Sequence, residues 1–308
     1  MNYKASFGTG MNKWCWLFLI MLCWMGAGFA IFKPQEKQNR SISSLPSQTS
    51  RIVSMAPNLT EILFALGLED KIVGVTLHCN YPPTAIKKQK VGTFWQPNIE
   101  AVIAARPTMV VTLDFEQQRS FAERLRRVGL HCLTVNIEKV SELFEAIDKI
   151  GTATGKQREA NQLVSGIQKK LNGLAALIGM KDKVRVLWVV QREPLRVAGR
   201  DTFVNEMIEL AGGENVMGPT VYKYPPIGAE QVIASGADVI IEPSMTQEDL
   251  ASQQEKALQY WNRFENVPAV VNKRIYIING DIVSRPGPRL YEGVETIARC
   301  LWPELFAD

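Results

Sequence analysis

The stretch Asn98-Ile99-Glu100-Ala101-Val102-Ile103-Ala104-Ala105-Arg106-Pro107-Thr108-Met109-Val110-Val111 returns later as Gly228-Ala229-Glu230-Gln231-Val232-Ile233-Ala234-Ser235-Gly236-Ala237-Asp238-Val239-Ile240-Ile241, in one unbroken register. In each copy a glutamate opens a short helix. Val102 and Ile103, or Val232 and Ile233, are expected to face a core, and a β-branched run follows a Pro or Gly break. Each copy reads as a helix leading into a buried parallel strand. Two such units in one chain predict two α/β lobes that face each other, with a ligand cleft between them.

The surrounding sequence extends this pattern. Arg51 to Met55 reads as a strand, and Pro57 starts a helix with Asn58 as its expected N-cap, Glu61 completing a capping box and Gly67 ending it. Lys71 to Thr76 is a second strand, followed by the turn Tyr81-Pro82-Pro83, and loops after parallel strands line ligand clefts. Strands at 110–113 and 131–135, with helices at 115–128 and 141–150, continue an alternation that marks a parallel sheet covered by helices. From Lys156 to Ile178, Ala160, Leu163, Val164, Ile167, Leu171, Leu174 and Ile178 recur at helical spacing. Such a helix runs roughly 35 Å, enough to join two lobes as a strut. Beyond it come a strand from Val184, a helix from Asp201 to Leu210 closed by Gly212-Gly213, the second repeat, a strand from Arg274 to Ile278, and a last helix from Leu290 to Cys300. The expected fold class is therefore α/β: two Rossmann-like lobes with parallel sheets, residues 51–154 and 183–308, bridged by one long helix within 155–182.

With 308 residues and 46% hydrophobic content, the chain can bury one large core or two smaller ones. Its net charge of +4 is dispersed, so no basic block reads as a nucleic-acid surface, and the expectation is a monomer that binds no nucleic acid. Residues 1–32 contain an uncharged run from Trp14 to Phe32 after Lys4 and Lys13, the layout of either an export signal or a retained membrane anchor. Gly28-Phe29-Ala30 suits signal peptidase, and the run is also long enough to span a bilayer, so both alternatives stand. Leu22 is bulkier than the small residue that precedes a lipidated cysteine, which argues against a lipid at Cys23. Residues 33–50 are polar and read as a tether. The folded part is thus expected in the periplasm or otherwise outside the cytoplasm. Of the three cysteines beyond the leader, Cys79 and Cys132 are the pair to test for a disulfide, against the plainer reading that buried thiols are simply packed.

Several patterns that suggest other chemistry fail on inspection. Gly151-Thr-Ala-Thr-Gly155-Lys156 is one residue short of a phosphate loop and follows a helix instead of a strand. His78-Cys79 and His131-Cys132 offer four possible zinc ligands, but neighbours along a strand point to opposite faces, so no metal centre is expected. There is no GxSxG elbow or paired catalytic carboxylate motif, and no catalytic residue or resident cofactor is assigned.

Taken together, Arg51-Ile-Val-Ser-Met-Ala-Pro-Asn-Leu-Thr-Glu61, Asn80-Tyr-Pro-Pro83, Val91-Gly-Thr-Phe-Trp95, Asn98-Ile-Glu100, Ala211-Gly-Gly-Glu-Asn215 and Arg285-Pro-Gly-Pro-Arg289 resemble the extracytoplasmic substrate-binding proteins of ABC importers for cobalamin and iron complexes. The likeness covers nearly everything from Arg51 onward, and the cobalamin-binding members are nearest in pattern. It implies small hinge movement on binding, a metal chelate as transported ligand, and permease transmembrane subunits as partners. It also implies that Glu100 and Glu230, one per lobe, dock onto permease arginines by charge-assisted pairing. The plainer alternative is that each merely sits in a first helical turn, where the dipole favours negative charge.

A corrin or porphyrin needs aromatic platforms and a few polar groups to fix it. Tyr81, Phe94, Trp95, Tyr222 and Tyr224 are the candidates, with family aromatics implied at Phe94 and Tyr224. His78 stands where the cobalamin binder has a tyrosine, and a histidine there could coordinate cobalt or haem iron. Arg196 and Arg285 could fix anionic groups, whereas Arg289 reads as structural. Relatives can pair a cysteine matching Cys300 with one matching Ala211, so that bridge is excluded here. Haem or an iron siderophore is the alternative ligand. A membrane-tethered sensor or chelate-processing enzyme on the same fold is the alternative of another class.

Overall fold

A computed structural model describes residues 51–244 and 249–307; the expectations for the leader and tether lie outside them. The N-terminal lobe is a four-stranded sheet in the order β2-β1-β3-β4, formed by β1 (Ile52–Ser54), β2 (Ile72–Val75), β3 (Met109–Leu113) and β4 (Cys132–Val135). All its pairings are parallel. Its helices are α1 (Pro57–Ala65), α2 (Ile99–Ala104), α3 (Glu116–Arg127) and α4 (Val140–Thr154). After α5 (Gln157–Ile178) the second lobe contains β5 (Val184–Arg192), β6 (Leu195–Val197), α6 (Phe203–Leu210), β7 (Gly213–Asn215), α7 (Ala229–Ser235) and β8 (Val239–Ser244). It ends with α8 (Leu250–Trp261), α9 (Pro268–Val271), β9 (Ile275–Asn279), α10 (Gly280–Val283) and α11 (Leu290–Leu301). Here β7 and β8 pair with β5 and β9 pairs with β8, all in parallel as expected, and β6 adds an antiparallel hairpin on β5 at the edge. Only two residues, Glu193 and Pro194, separate β5 from β6, too few for the crossover that a parallel pairing requires.

Strand alternation divides the core. Ile52, Met109, Val111, Val186 and Trp188 belong to one continuous apolar cluster that also takes in Ala160, Ile167, Leu171, Leu174 and Ile178 of α5. Val53, Val110 and Cys132 turn to a second cluster, with Val102 of α2 and Phe121 and Leu125 of α3. Leu187, Val189 and Ile240 turn to a third, with Val232 of α7 and Trp261 of α8. Each sheet therefore has an inner face that shares one core with the other lobe through α5, and an outer face covered by its own helices. The strut expectation holds, and its two ends are anchored by glycines. A Cβ on Gly151 in α4 would lie 2.5 Å from the Ala160 Cβ, and one on Gly212 would lie 2.9 Å from Ile178. Gly212 also has φ +79°, a conformation that further disfavours any side chain.

Two local expectations are corrected, and one open alternative is decided. Ile103 and Ile233 do not face a core; they are 44% and 50% exposed, while Val102 and Val232 beside them are fully buried. A helix of six or seven residues has room for one buried row, not two. Asn58 is not an N-cap: α1 starts after Ala56, the Asn58 amide donates to the Pro286 carbonyl at 3.0 Å, and Glu61 is drawn into an ion pair. Cys79 and Cys132 are both free, because they belong to the inner and outer clusters on opposite sides of the sheet. The Cys79 Sγ lies 3.1 Å from the hydroxyls of both Thr60 and Thr76.

Candidate ligand cleft and flanking helices

The cleft is built where the strands of both sheets end. Pro57 and Asn58 follow β1, His78 follows β2, Leu113 ends β3 and Ile137 follows β4, and all of these line one cavity of about 360 Å³. Phe94 and Trp95 close its N-terminal wall, and Ser284, Arg285 and Pro286 of the second lobe close the other. Ser284 and Pro286 also border an adjoining cavity of about 240 Å³, walled by Trp188, Phe203, Tyr224 and Pro243. Ligand sites at the carboxyl ends of parallel strands are the rule in open α/β sheets, because the loops there diverge and leave a crevice.

The wall has a defined chemistry. Trp95 is 65% exposed, and its ring stands edge-on to Phe94 at 4.7 Å and lies 5.7 Å from Phe115. A supported yet exposed indole is a rigid platform for a flat apolar ligand. Gln118 holds this corner from behind, accepting from the Leu113 N–H at 2.9 Å and donating to the Met55 carbonyl at 2.7 Å. His78 is exposed at the same cavity. Partial burial pushes the Tyr224 phenol up, so it stays protonated and able to donate at neutral pH.

Other candidates lie elsewhere or are already engaged. Tyr81 does not line either cavity; its ring packs 4.0 Å beneath the Arg289 guanidinium. Tyr222 is 68% exposed on the loop before α7 and lines neither cavity. Arg196, on β6, donates to the Tyr224 carbonyl at 3.2 Å and is likewise outside both. Arg285 does reach the cleft, but its guanidinium is held by Asp281 at 2.7 Å and Asn80 at 2.5 Å, with Glu61 at 3.7 Å. These contacts, with Arg289 on Glu61, tie the lobes together on one side of the cleft. Lys223 to Glu138 at 2.8 Å, and the Val140 N–H donating to Glu206 at 2.7 Å, add further ties between them. The sequence reading missed Pro57, Asn58, Leu113, Ile137, Trp188 and Phe203. For the first four, position directly at a strand's C-terminal end is the signal that could have found them.

Glu100 and Glu230 occupy the same place in the two repeats. Each is the second residue of its helix, exposed, and without a hydrogen-bond or ion-pair partner among the described residues. Asn98 caps α2 by accepting from the Ala101 N–H at 2.9 Å, while at α7 the Gln231 side chain accepts from the Gly228 N–H at 2.8 Å. Different caps thus hold the same helix start.

Two α/β lobes on a shared inner core, joined by helix α5 and with an aromatic crevice between strand ends, define a two-lobed solute-binding protein. The chain belongs to the periplasmic binding protein family, whose pattern matches residues 52–282. It is 31% identical over 272 residues to the uncharacterised ABC transporter substrate-binding lipoprotein YvrC of Bacillus subtilis, covering 86% of this chain and 84% of that one. It is 24% identical over 255 residues to the vitamin B12-binding protein of Vibrio parahaemolyticus, covering 82% and 90%. The crystal structure of the periplasmic haem-binding protein HutB of Vibrio cholerae superimposes with a TM-score of 0.74 at 26% identity, covering 83% of this chain and all of that one. The family is one of transport receptors that work outside the cytoplasm with a small-molecule ligand and a permease.

Proposed function

We propose that this chain is the extracytoplasmic receptor of an ABC importer and that it captures cobalamin or a related metal-centred macrocycle between its lobes. The observation that carries the reading is the cleft cavity, where the exposed Trp95 and its partner Phe94 face Pro286 across the lobes, with the His78 imidazole at the same wall. A corrin or porphyrin has broad apolar faces, and covering them against aromatic side chains yields about 25 cal/mol per Å² of apolar surface removed from water. Glu100 and Glu230 are the permease-docking residues in this reading, supported by their equivalent, exposed and unpartnered positions. The long uncharged run from Trp14 to Phe32 serves as export signal or anchor, and the lipoprotein relative supports a tethered form.

Haem is the second reading, favoured by His78: an exposed imidazole in an aromatic crevice is a natural axial ligand for iron as well as cobalt. An anionic siderophore fits less well, since Arg285 is already neutralised by Asp281 and Glu61 and Arg196 is turned to a backbone carbonyl. Titration of the purified protein with cyanocobalamin, aquocobalamin, haemin and ferric siderophores tests the choice, following tryptophan fluorescence and the visible spectrum. Saturable cobalamin binding is expected. Binding of haemin alone moves the assignment to iron uptake, and binding of none of them overturns the reading.

A further inference from the structure

A cavity of about 540 Å³ lies on the outer side of the C-terminal lobe and shares no lining residue with the cleft. One wall is Ile227 with Ala229 and Ile233 of α7; the other is Tyr260 at the end of α8 with Arg263 and Phe264 just beyond. The turn between β5 and β6 forms its edge through Glu193 and Pro194. Two contacts hold the walls in place. The Tyr260 hydroxyl donates to the Arg192 carbonyl at 3.1 Å, and the Arg263 guanidinium stacks 3.9 Å from the Tyr260 ring. Ile233, on α7, is half exposed at this cavity, three residues and so one helical turn from Glu230.

We propose that this cavity is a docking socket for the permease, and that it takes a bulky apolar side chain presented within a turn of the basic residue that pairs with Glu230. The proposal rests on the reading of Glu230 as a docking residue and extends it. Charge and shape name the occupant. The cavity is mostly apolar, and Glu193 in its lining and Glu230, the neighbour in sequence of the lining residue Ala229, have no ion-pair partner among the described residues; of the two arginines in the lining, Arg192 is paired with Glu242 and Arg263 lies over the Tyr260 ring. An apolar socket beside two free carboxylates complements a segment in which a lysine or arginine neighbours an aromatic or branched residue. The N-terminal lobe repeats the glutamate and the exposed isoleucine, Glu100 and Ile103, but its sheet is wholly parallel and has no hairpin like β5–β6 to form such an edge. Docking is therefore asymmetric: both lobes contribute a charge, and the C-terminal lobe also accepts an inserted side chain.

The test uses full-length protein in cells deleted for their own copy of the gene, with uptake of radiolabelled cyanocobalamin and radiolabelled haemin as readouts. Purified variants are checked in parallel for ligand affinity and thermal stability. Ile233→Glu and Ala229→Trp, which charge or fill the socket, are expected to lower uptake about tenfold or more while leaving ligand affinity within about twofold, as buried anchor sites do when blocked. Ile103→Glu is expected to cost markedly less. Glu100→Gln with Glu230→Gln is the control for the underlying reading: if it leaves uptake intact, docking through these helices fails and the socket with it. If that control abolishes uptake while Ile233→Glu and Ala229→Trp transport normally, the socket alone is overturned. Equal losses from Ile103→Glu and Ile233→Glu overturn the asymmetry, and a wild type that imports neither probe overturns both readings.

Discussion

Arg289 grips Glu61 with two hydrogen bonds, Nε to Oε2 at 2.8 Å and Nη2 to Oε1 at 2.6 Å, and so ties the start of the last helix to the first helix of the opposite lobe. Both side chains are almost wholly enclosed, at 2% exposure for Glu61 and 10% for Arg289. The bidentate geometry satisfies most of the donors and acceptors that burial strips of water. Burial works against the Arg289 charge, but the hydrogen bonds and charge of Glu61 outweigh it and hold the guanidinium above its ordinary value.

Removing Glu61 leaves the buried Arg289 without a carboxylate partner, and removing Arg289 leaves the buried Glu61 with only the longer contact to Arg285 at 3.7 Å. Glu61→Leu or Arg289→Met is therefore expected to lower stability by about 3–5 kcal/mol in urea denaturation. The double variant Glu61→Leu with Arg289→Met is expected to lose clearly less than the sum of the two single losses, because no orphan charge remains. Additive losses would show that the two residues act independently.

The Glu142 carboxylate caps the start of α4, accepting from the backbone N–H groups of Glu138 and Lys139 at 2.8 and 3.0 Å. Burial nudges its pKa up, and these bonds with that from Asn136 outweigh it, so the net shift is downward. A depressed carboxylate stabilises the fold fully above the ordinary value of 4.5 and loses that contribution as pH falls through the lower folded value. Glu142→Ala is expected to cost about 1 kcal/mol at neutral pH. Its deficit against wild type should shrink as pH falls below 4.5 and the carboxylate takes up its proton. A deficit independent of pH would mean the loss is one of packing and not of charge.

Cys79, Cys132 and Cys300 are free and buried, and burial pushes the Cys300 thiol up to about 12. Buried sulfurs are out of reach of a reagent in solution, so all three are expected to resist iodoacetamide at pH 8 in the native protein and to react after unfolding, as read by mass spectrometry. Native labelling at any of them would contradict the packing described.

Trp95 presents most of its ring to the cleft on the support of Phe94 and Phe115. Trp95→Ala is expected to weaken macrocycle binding about tenfold or more, with the melting temperature little changed, because an exposed platform contributes to binding and not to the core. His78→Ala should abolish any shift of the ligand's visible spectrum while leaving part of the affinity. Unchanged affinity in Trp95→Ala would move the ligand away from this wall.

The alternating elements, the strut helix and the duplicated unit were legible because they depend on local periodicity, and each apolar repeat specifies one face of one element. Glu100 and Glu230 were legible because the repeat places them in register. Arg285 and Arg196 were not legible as engaged groups: Asn80, Asp281 and the Tyr224 carbonyl reach them only through folding. The exposure of Ile103 and Ile233 was hidden for a related reason, since a short helix satisfies its core with a single row of side chains and leaves the next to solvent. Helix α8 went unread although Ala257, Leu258 and Trp261 recur at helical spacing, and with it went one wall of the outer cavity.

By itself the sequence determined the two-lobed α/β plan, the bridging helix and the paired glutamates, because hydrophobic period and turn chemistry act over a few residues. The tertiary structure alone decided which side chains meet across the cleft, that Glu61 locks Arg289 and does not cap a helix, and that the hairpin builds a socket beside Glu230. Those outcomes depend on burial and charge between residues distant along the chain, and no local pattern encodes which partner a buried charge will find.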